Sequence, residues 1–131
     1  MKYEYHFEVR GYELDSFGHV NNAVYLNYYE QARWLIMKEL GLLDYFKNTE
    51  GFLVVIKAEL KFVKELQLLE KAVVNTTYTT EGFFVIFKQE IRNMNNEKVN
   101  SAIVKCILVD KSRQPADIPD EILKGIANDK S

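Results

Sequence analysis

Cysteine is nearly absent from this chain: Cys106 is the one example in 131 residues. A lone cysteine excludes an internal disulfide and cannot by itself make a zinc site. Cys106 reads as a small buried hydrophobe in a strand. Histidine is almost as scarce, at positions 6 and 19 only, so no metal-ligand set of ordinary spacing can be assembled and no metal is expected. Charge of one sign is lacking too: 17 basic and 19 acidic residues are scattered along the chain, for a net charge of −2. No basic block marks a nucleic-acid surface and no like-charge run marks a tail. No apolar run approaches the ~20 residues that cross a bilayer as a helix. The opening stretch MKYEYHFEVR lacks the apolar core of a signal peptide. A cytoplasmic protein without a membrane span is the expectation.

Aromatics are abundant: eight Tyr, eight Phe and one Trp, within a hydrophobic share of 47%. That suits strands, and it suits a pocket for something apolar. A chain of this length buries about two-thirds of its unfolded surface, and no repeat or linker divides it, so a single domain over 1–131 is expected.

Tyr3, Tyr5, Phe7 and Val9 alternate with Glu4, His6, Glu8 and Arg10, the period of a half-buried strand. Gly11 to Gly18 reads as a loop. Asn21 or Asn22 can cap a helix, because an Asn side chain accepts from free N–H groups of the first turn. Tyr25, Tyr28, Tyr29, Ala32, Leu35, Ile36 and Leu40 then recur at helical spacing, and Gly41 stands where the helix end wants a left-handed residue. The helix is expected to run for about 18 residues. After Gly51 the period returns to two, with Val54, Ile56, Ala58, Leu60 and Phe62 on one face and Lys57, Glu59 and Lys61 on the other. Strands follow over 71–80, 83–93 and 99–110, joined by turns at Glu81-Gly82 and Asn93–Asn96. Pro119, followed by Asp120 and Glu121, opens a short last helix to Ala127. Strand, long helix, then four strands joined largely by hairpins is an α+β order: an antiparallel sheet with one helix across it.

The segment from Arg10 to Arg33, RGYELDSFGHVNNAVYLNYYEQAR, gathers Asp15, His19, Asn21, Asn22 and the start of the long helix. A helix N-terminus presents unpaired N–H groups and partial positive charge, suited to a carbonyl oxygen becoming an oxyanion. A carboxylate in the preceding loop can serve as base or nucleophile. Thioesters are activated acyl compounds, so that pair can suffice without a serine triad. Each residue also has a plainer reading. Asp15 can be a turn-forming residue and His19 a hydrogen-bonding anchor of its loop. Asn22 reads more readily as a cap than as a substrate ligand. Glu30 lies within the helix, where it pairs naturally with Arg33 or the neighbourhood of Trp34, and reads as solvated or structural, with a catalytic role held in reserve.

The pattern Asp15, Gly18, Val20, Tyr25 resembles the signature of hotdog-fold thioesterases of the 4-hydroxybenzoyl-CoA thioesterase type. His19-Val20-Asn21-Asn22 looks equally like the variant in acyl-acyl-carrier-protein thioesterases. This resemblance implies a hotdog fold, in which a five-stranded antiparallel sheet wraps one long central helix. It implies a hydrolase acting on an acyl-CoA or acyl-carrier-protein thioester, without organic cofactor, as a homodimer or homotetramer. It places Asp15 on the catalytic carboxylate, the backbone N–H of Tyr25 on the group that polarises the carbonyl, and His19 as assistant. Two departures stand out: Asn22 replaces a histidine of some members, and Phe17 an asparagine of others. The aromatic stripe of the helix reads as core, with Tyr25 and Tyr28 as candidates to line the acyl tunnel. Lys57 and Lys61, with Lys88 and Arg92, are candidates to meet CoA phosphates. A non-catalytic acyl-thioester binding module on the same fold is the alternative, since fold alone does not decide chemistry.

Overall fold

Each period-two stretch forms a strand in the computed structural model, which describes residues 3–130. The strands are β1 (Tyr3–Glu8), β2 (Phe52–Phe62), β3 (Lys71–Glu81), β4 (Phe84–Asn93) and β5 (Lys98–Val109). They make one sheet in the order β1-β3-β4-β5-β2, every pair antiparallel. β3, β4 and β5 follow one another through tight turns, the first containing Gly82 at φ +59°, a left-handed conformation that glycine adopts without a Cβ clash. β1 and β2 take the two edges. The chain between them crosses the molecule as helix α1 (Asn22–Glu39), which packs against β1 and β3.

α1 forms where its cap and its stripe agree. Asn21 accepts from the Ala23 N–H at 3.0 Å, and the helix then runs for 18 residues, the expected length. Its buried side includes Tyr25, Tyr28, Tyr29, Ala32 and Ile36, laid on Val74, Phe87, Ile91 and Val104 of the sheet's inner face. Full burial of one such side chain contributes about 1.5–3 kcal/mol. A polar seam crosses this core. Arg33 donates to Gln89 at 3.0 Å, and the Gln89 amide donates to the Tyr29 carbonyl and to Thr76 Oγ1. Burial pulls the Arg33 pKa below its usual value. Cys106 is buried on the same face, with its thiol pushed up to about 11 by burial.

Three expectations need correction. The chain does not turn from one long helix straight into the sheet: Gly41 at φ +77° ends α1 and also opens a second helix, α2 (Leu42–Thr49). Leu42 is buried and Tyr45 and Phe46 pack on the core, so the segment behind Gly41 has an apolar face of its own. Together with α3 (Asp120–Lys130), three helices accompany the sheet. Second, the even-numbered apolar residues of β2 do not share one face. A β-bulge falls between Val55 and Lys57; Val55 pairs with Cys106 but Lys57 with Lys105. Leu53 and Val55 therefore share the inner face with Ala58, Leu60 and Phe62, and Ile56 is the extra residue. Third, Glu30 has no ion pair with Arg33, because Arg33 turns into the core. No described helix is long and apolar enough to cross a membrane.

Candidate functional site

The segment between β1 and α1 folds as two linked turns. Gly11–Glu13 is a 3-10 turn held by the Glu13 N–H donating to the Arg10 carbonyl at 3.0 Å. Asp15 to His19 is a closed loop: the Asp15 N–H donates to the His19 carbonyl at 2.8 Å, and the Gly18 N–H to the Asp15 carbonyl at 3.1 Å. Gly18 stands at φ +81°, where a side chain would be strained. Leu14 and Val20 pair across the base of this loop, and the Asn21 N–H donates to the Glu13 carbonyl at 2.9 Å, so the loop closes directly onto the start of α1.

Asp15 is exposed at the tip of this arrangement. Its Oδ1 accepts from the Phe17 N–H at 2.9 Å and from the His19 N–H at 3.4 Å. Oδ2 has no hydrogen-bond partner among the described residues. The turn-forming reading of Asp15 is thus realised by one oxygen, and the other stays available. His19 faces a different carboxylate: its Nδ1 lies 3.0 Å from Glu65 Oε2, and its backbone bridges Gln67. A proton on Nδ1 donated to Glu65 leaves Nε2 as the free acceptor. Glu65 carried no signal in the sequence, because the segment joining β2 to β3 is irregular.

The helix start leaves some of its N–H groups capped and others free. Asn21 is the cap, so Asn22 is the first helical residue, with its side chain exposed and making no hydrogen bond among the described residues. The Ala23 N–H is taken by the Asn21 side chain, and the Val24 N–H by the Asn21 carbonyl at 2.9 Å. Tyr25 lies one position further on, and no bond from its N–H to the Asn21 carbonyl is formed. Among the described residues, neither the Asn22 N–H nor the Tyr25 N–H has a partner at this helix start. The expected donor at Tyr25 therefore stays a candidate beside Asn22, and Asn21 rather than Asn22 is the cap.

Beneath the loop lies an aromatic cluster. Tyr25 accepts the Leu66 N–H at 3.3 Å and meets Phe62 edge-on at 5.7 Å. Tyr28 stacks on Phe7 at 4.1 Å and donates its hydroxyl to Glu13 Oε1 at 2.8 Å. Burial first, and the bond to Glu13 second, raise the Tyr28 pKa well above its ordinary value, so it stays a donor. With 1% of its surface exposed, Tyr28 is a core residue in the single subunit and does not line an open tunnel there. Lys57 and Lys61 lie on the outer face of β2, and Lys57 pairs with Glu59 at 2.9 Å. Lys61, Lys88 and Thr77 line an outer-face groove of about 460 Å³. Lys61 precedes Phe62 in β2 but lies on the opposite face of the strand from it. Among the described residues no group of three His, Cys, Asp or Glu side chains stands together in a metal-binding arrangement.

This loop-and-helix arrangement falls within a family match. The family model of the thioesterase-like superfamily matches residues 9–126. An acyl-acyl carrier protein thioesterase, ATL3, of Arabidopsis thaliana is 31% identical over 123 residues, 92% of this chain and 65% of that protein's length. The long-chain acyl-CoA thioesterase FadM of Escherichia coli is 39% identical over 56 residues, 43% of this chain and 36% of that protein. Among solved structures, Slr0204 of Synechocystis, a 1,4-dihydroxy-2-naphthoyl-CoA thioesterase, superposes with a TM-score of 0.89 at 16% identity, covering 100% of this chain and 99% of that one.

Proposed function

The chain belongs to the thioesterase-like superfamily, and from that premise we propose that it hydrolyses an acyl thioester to a free acid and a thiol. The observation that carries the reading is a half-engaged carboxylate, Asp15, in the loop before a helix start whose Asn22 and Tyr25 N–H groups lack a partner. The carbonyl oxygen sits against the Asn22 N–H, where negative charge developing on it meets a fixed donor and the positive end of α1. Asp15 Oδ2 either draws a proton from water as that water adds to the carbonyl carbon, or adds to the carbon itself. On the first route the C–S bond breaks and the sulfur leaves with the proton that Asp15 took. On the second the sulfur leaves as thiolate, takes a proton from water, and a water then hydrolyses the acyl-Asp15 anhydride to the free acid. His19, turned toward Glu65, orients the loop and its water. Tyr28 supports the loop from below, and Lys61 is better placed than the Glu59-paired Lys57 to meet phosphates of the thiol carrier. No organic cofactor enters this scheme.

The carrier is coenzyme A or acyl carrier protein; matched relatives carry both names. The test is release of free thiol, followed with a chromogenic thiol reagent over a panel of acyl-CoA and acyl-carrier-protein substrates. Turnover of at least one thioester is expected, and it should survive exhaustive chelation, since the scheme uses only side chains and a backbone N–H. Binding without release across the panel points to a binding module. Loss with EDTA and recovery with a divalent ion calls for another mechanism.

A homodimer or larger assembly belongs to the same proposal. β2 is an edge strand of 11 residues that exposes Phe52, Val55, Ile56 and Phe62, and α1 packs mainly on β1 and β3 at the other edge of the sheet. A long apolar edge invites pairing. Two copies joined edge to edge along β2 would bury it and carry the inner face of β2, with Phe62 beside Tyr25, into the junction. Sedimentation at micromolar concentration should give a dimer or tetramer. An active monomer rules this arrangement out.

A further inference from the structure

Asp15 is exposed and bonded only within its own loop, so something else must fix that loop against α1. Glu13 is the buried carboxylate among the described residues, with 6% of its surface exposed. A buried charge persists only when its surroundings answer it, and here the answering groups come from both sides of the loop. Oε1 accepts the Arg10 N–H at 2.8 Å and the Tyr28 hydroxyl at 2.8 Å, while Oε2 lies 3.4 Å from an Arg10 guanidinium nitrogen. The backbone carbonyl of the same residue accepts the Asn21 N–H. One residue therefore ties the end of β1, the cap of α1 and the second turn of α1 together, two positions before Asp15 and next to the cap that precedes Asn22.

We propose that Glu13 is the positioning residue of this site: its bonds to Tyr28 and Asn21 hold the Asp15 carboxylate in register with the Asn22 N–H. The inference rests on the thioesterase reading above, and it names a residue that touches neither substrate nor the reacting atoms. A misplacement of about 1 Å at a reacting group can cost about 10²-fold in rate, so loosening this tie should act on the chemical step more than on binding.

The experiment is a cycle on the full chain with a thioester substrate: Glu13→Ala, Glu13→Gln and Tyr28→Phe, each alone and with Asp15→Asn. Glu13→Ala should lower kcat by about 10- to 10²-fold with little change in KM. Glu13→Gln keeps an oxygen for Tyr28 and for the Arg10 N–H, so it should recover most of that loss. In the Asp15→Asn background Glu13→Ala should add little, because a residue acting through Asp15 has nothing left to position. Hydrogen exchange gives a readout independent of turnover: the Asp15 and Asn21 amides should lose protection in Glu13→Ala while those of Ile91 and Val104 keep theirs. Should Glu13→Ala not fold, Tyr28→Phe decides, through a several-fold kcat loss that vanishes in the Asp15→Asn background. Normal kcat in the folded Glu13 and Tyr28 variants, or losses that add to Asp15→Asn in full, overturn the inference and leave the thioesterase reading standing. Normal turnover in folded Asp15→Asn removes that reading, and this inference with it.

Discussion

Asp15→Asn should lower turnover by about 10²- to 10⁴-fold, the range for loss of a general base. The hydrogen bonds explain why this substitution is a clean probe. Asp15 Oδ1 accepts the Phe17 and His19 N–H groups, and the amide oxygen of Asn can take the same two bonds. The new NH₂ then replaces the free Oδ2, exchanging an acceptor with charge for a donor without it. The loop keeps its shape, so KM should move far less than kcat. His19→Ala should cost less, because His19 reaches Glu65 and has no side-chain bond to Asp15 among the described residues. Glu30→Gln should be milder still, since Glu30 is exposed on α1. Steady-state kinetics on the three variants, with circular dichroism to show that each is folded, decide the order. Near-normal turnover in Asp15→Asn would sink the mechanism, and a collapse in Glu30→Gln would move the catalytic acid onto the helix.

Asn22→Pro should remove the oxyanion donor and little else. A backbone N–H is rarely accessible to mutation, but Asn22 is the first residue of α1, the position where proline is favoured and its fixed φ fits a helix. The residue before a proline must be extended, and Asn21 already is, at φ −60° and ψ 136°. The Asn21 side-chain cap to Ala23 can persist. Loss of one such donor costs about 10²- to 10³-fold in kcat, with the melting temperature close to that of the parent. Asn22→Ala keeps the N–H and loses only an exposed side chain, so it should run near the parent rate. Equal turnover in folded Asn22→Pro and Asn22→Ala would show that the carbonyl oxygen rests elsewhere.

What could be read from the chain was local. The cap and stripe of α1 and the alternation of β3, β4 and β5 are carried by neighbours in sequence, and these elements stand within a residue or two of their expected bounds. The order β1-β3-β4-β5-β2 is not local: Tyr3 pairs with Thr76 and Phe52 with Val109, and no short-range pattern encodes such pairings. α2 was hidden because Gly41 reads as a stop, yet a left-handed residue can end one helix and open the next. Within the site, Asp15 announced itself by its place before a helix. Glu13 did not, because a carboxylate is almost never buried, and only the folded chain shows Tyr28 and Asn21 converging on it. Tyr28 looked like pocket lining for the same reason: an aromatic stripe does not say which ring is sealed beneath a loop.

The bulge in β2 changes what a deletion would do. Removing one residue from a strand ordinarily turns every side chain beyond it to the opposite face. Ile56 is the exception here, since the pairing passes from Val55–Cys106 directly to Lys57–Lys105 and leaves it uncounted. A chain shortened at Ile56 would keep Leu53, Val55, Ala58, Leu60 and Phe62 on the inner face. A chain shortened at Lys57 would let Ile56 stand opposite Lys105 instead, and one shortened at Ala58 would bring Lys57 onto the inner face opposite Val104. Loss of one residue is therefore absorbed at the bulge, and what is given up there is the local bend that the extra residue introduces.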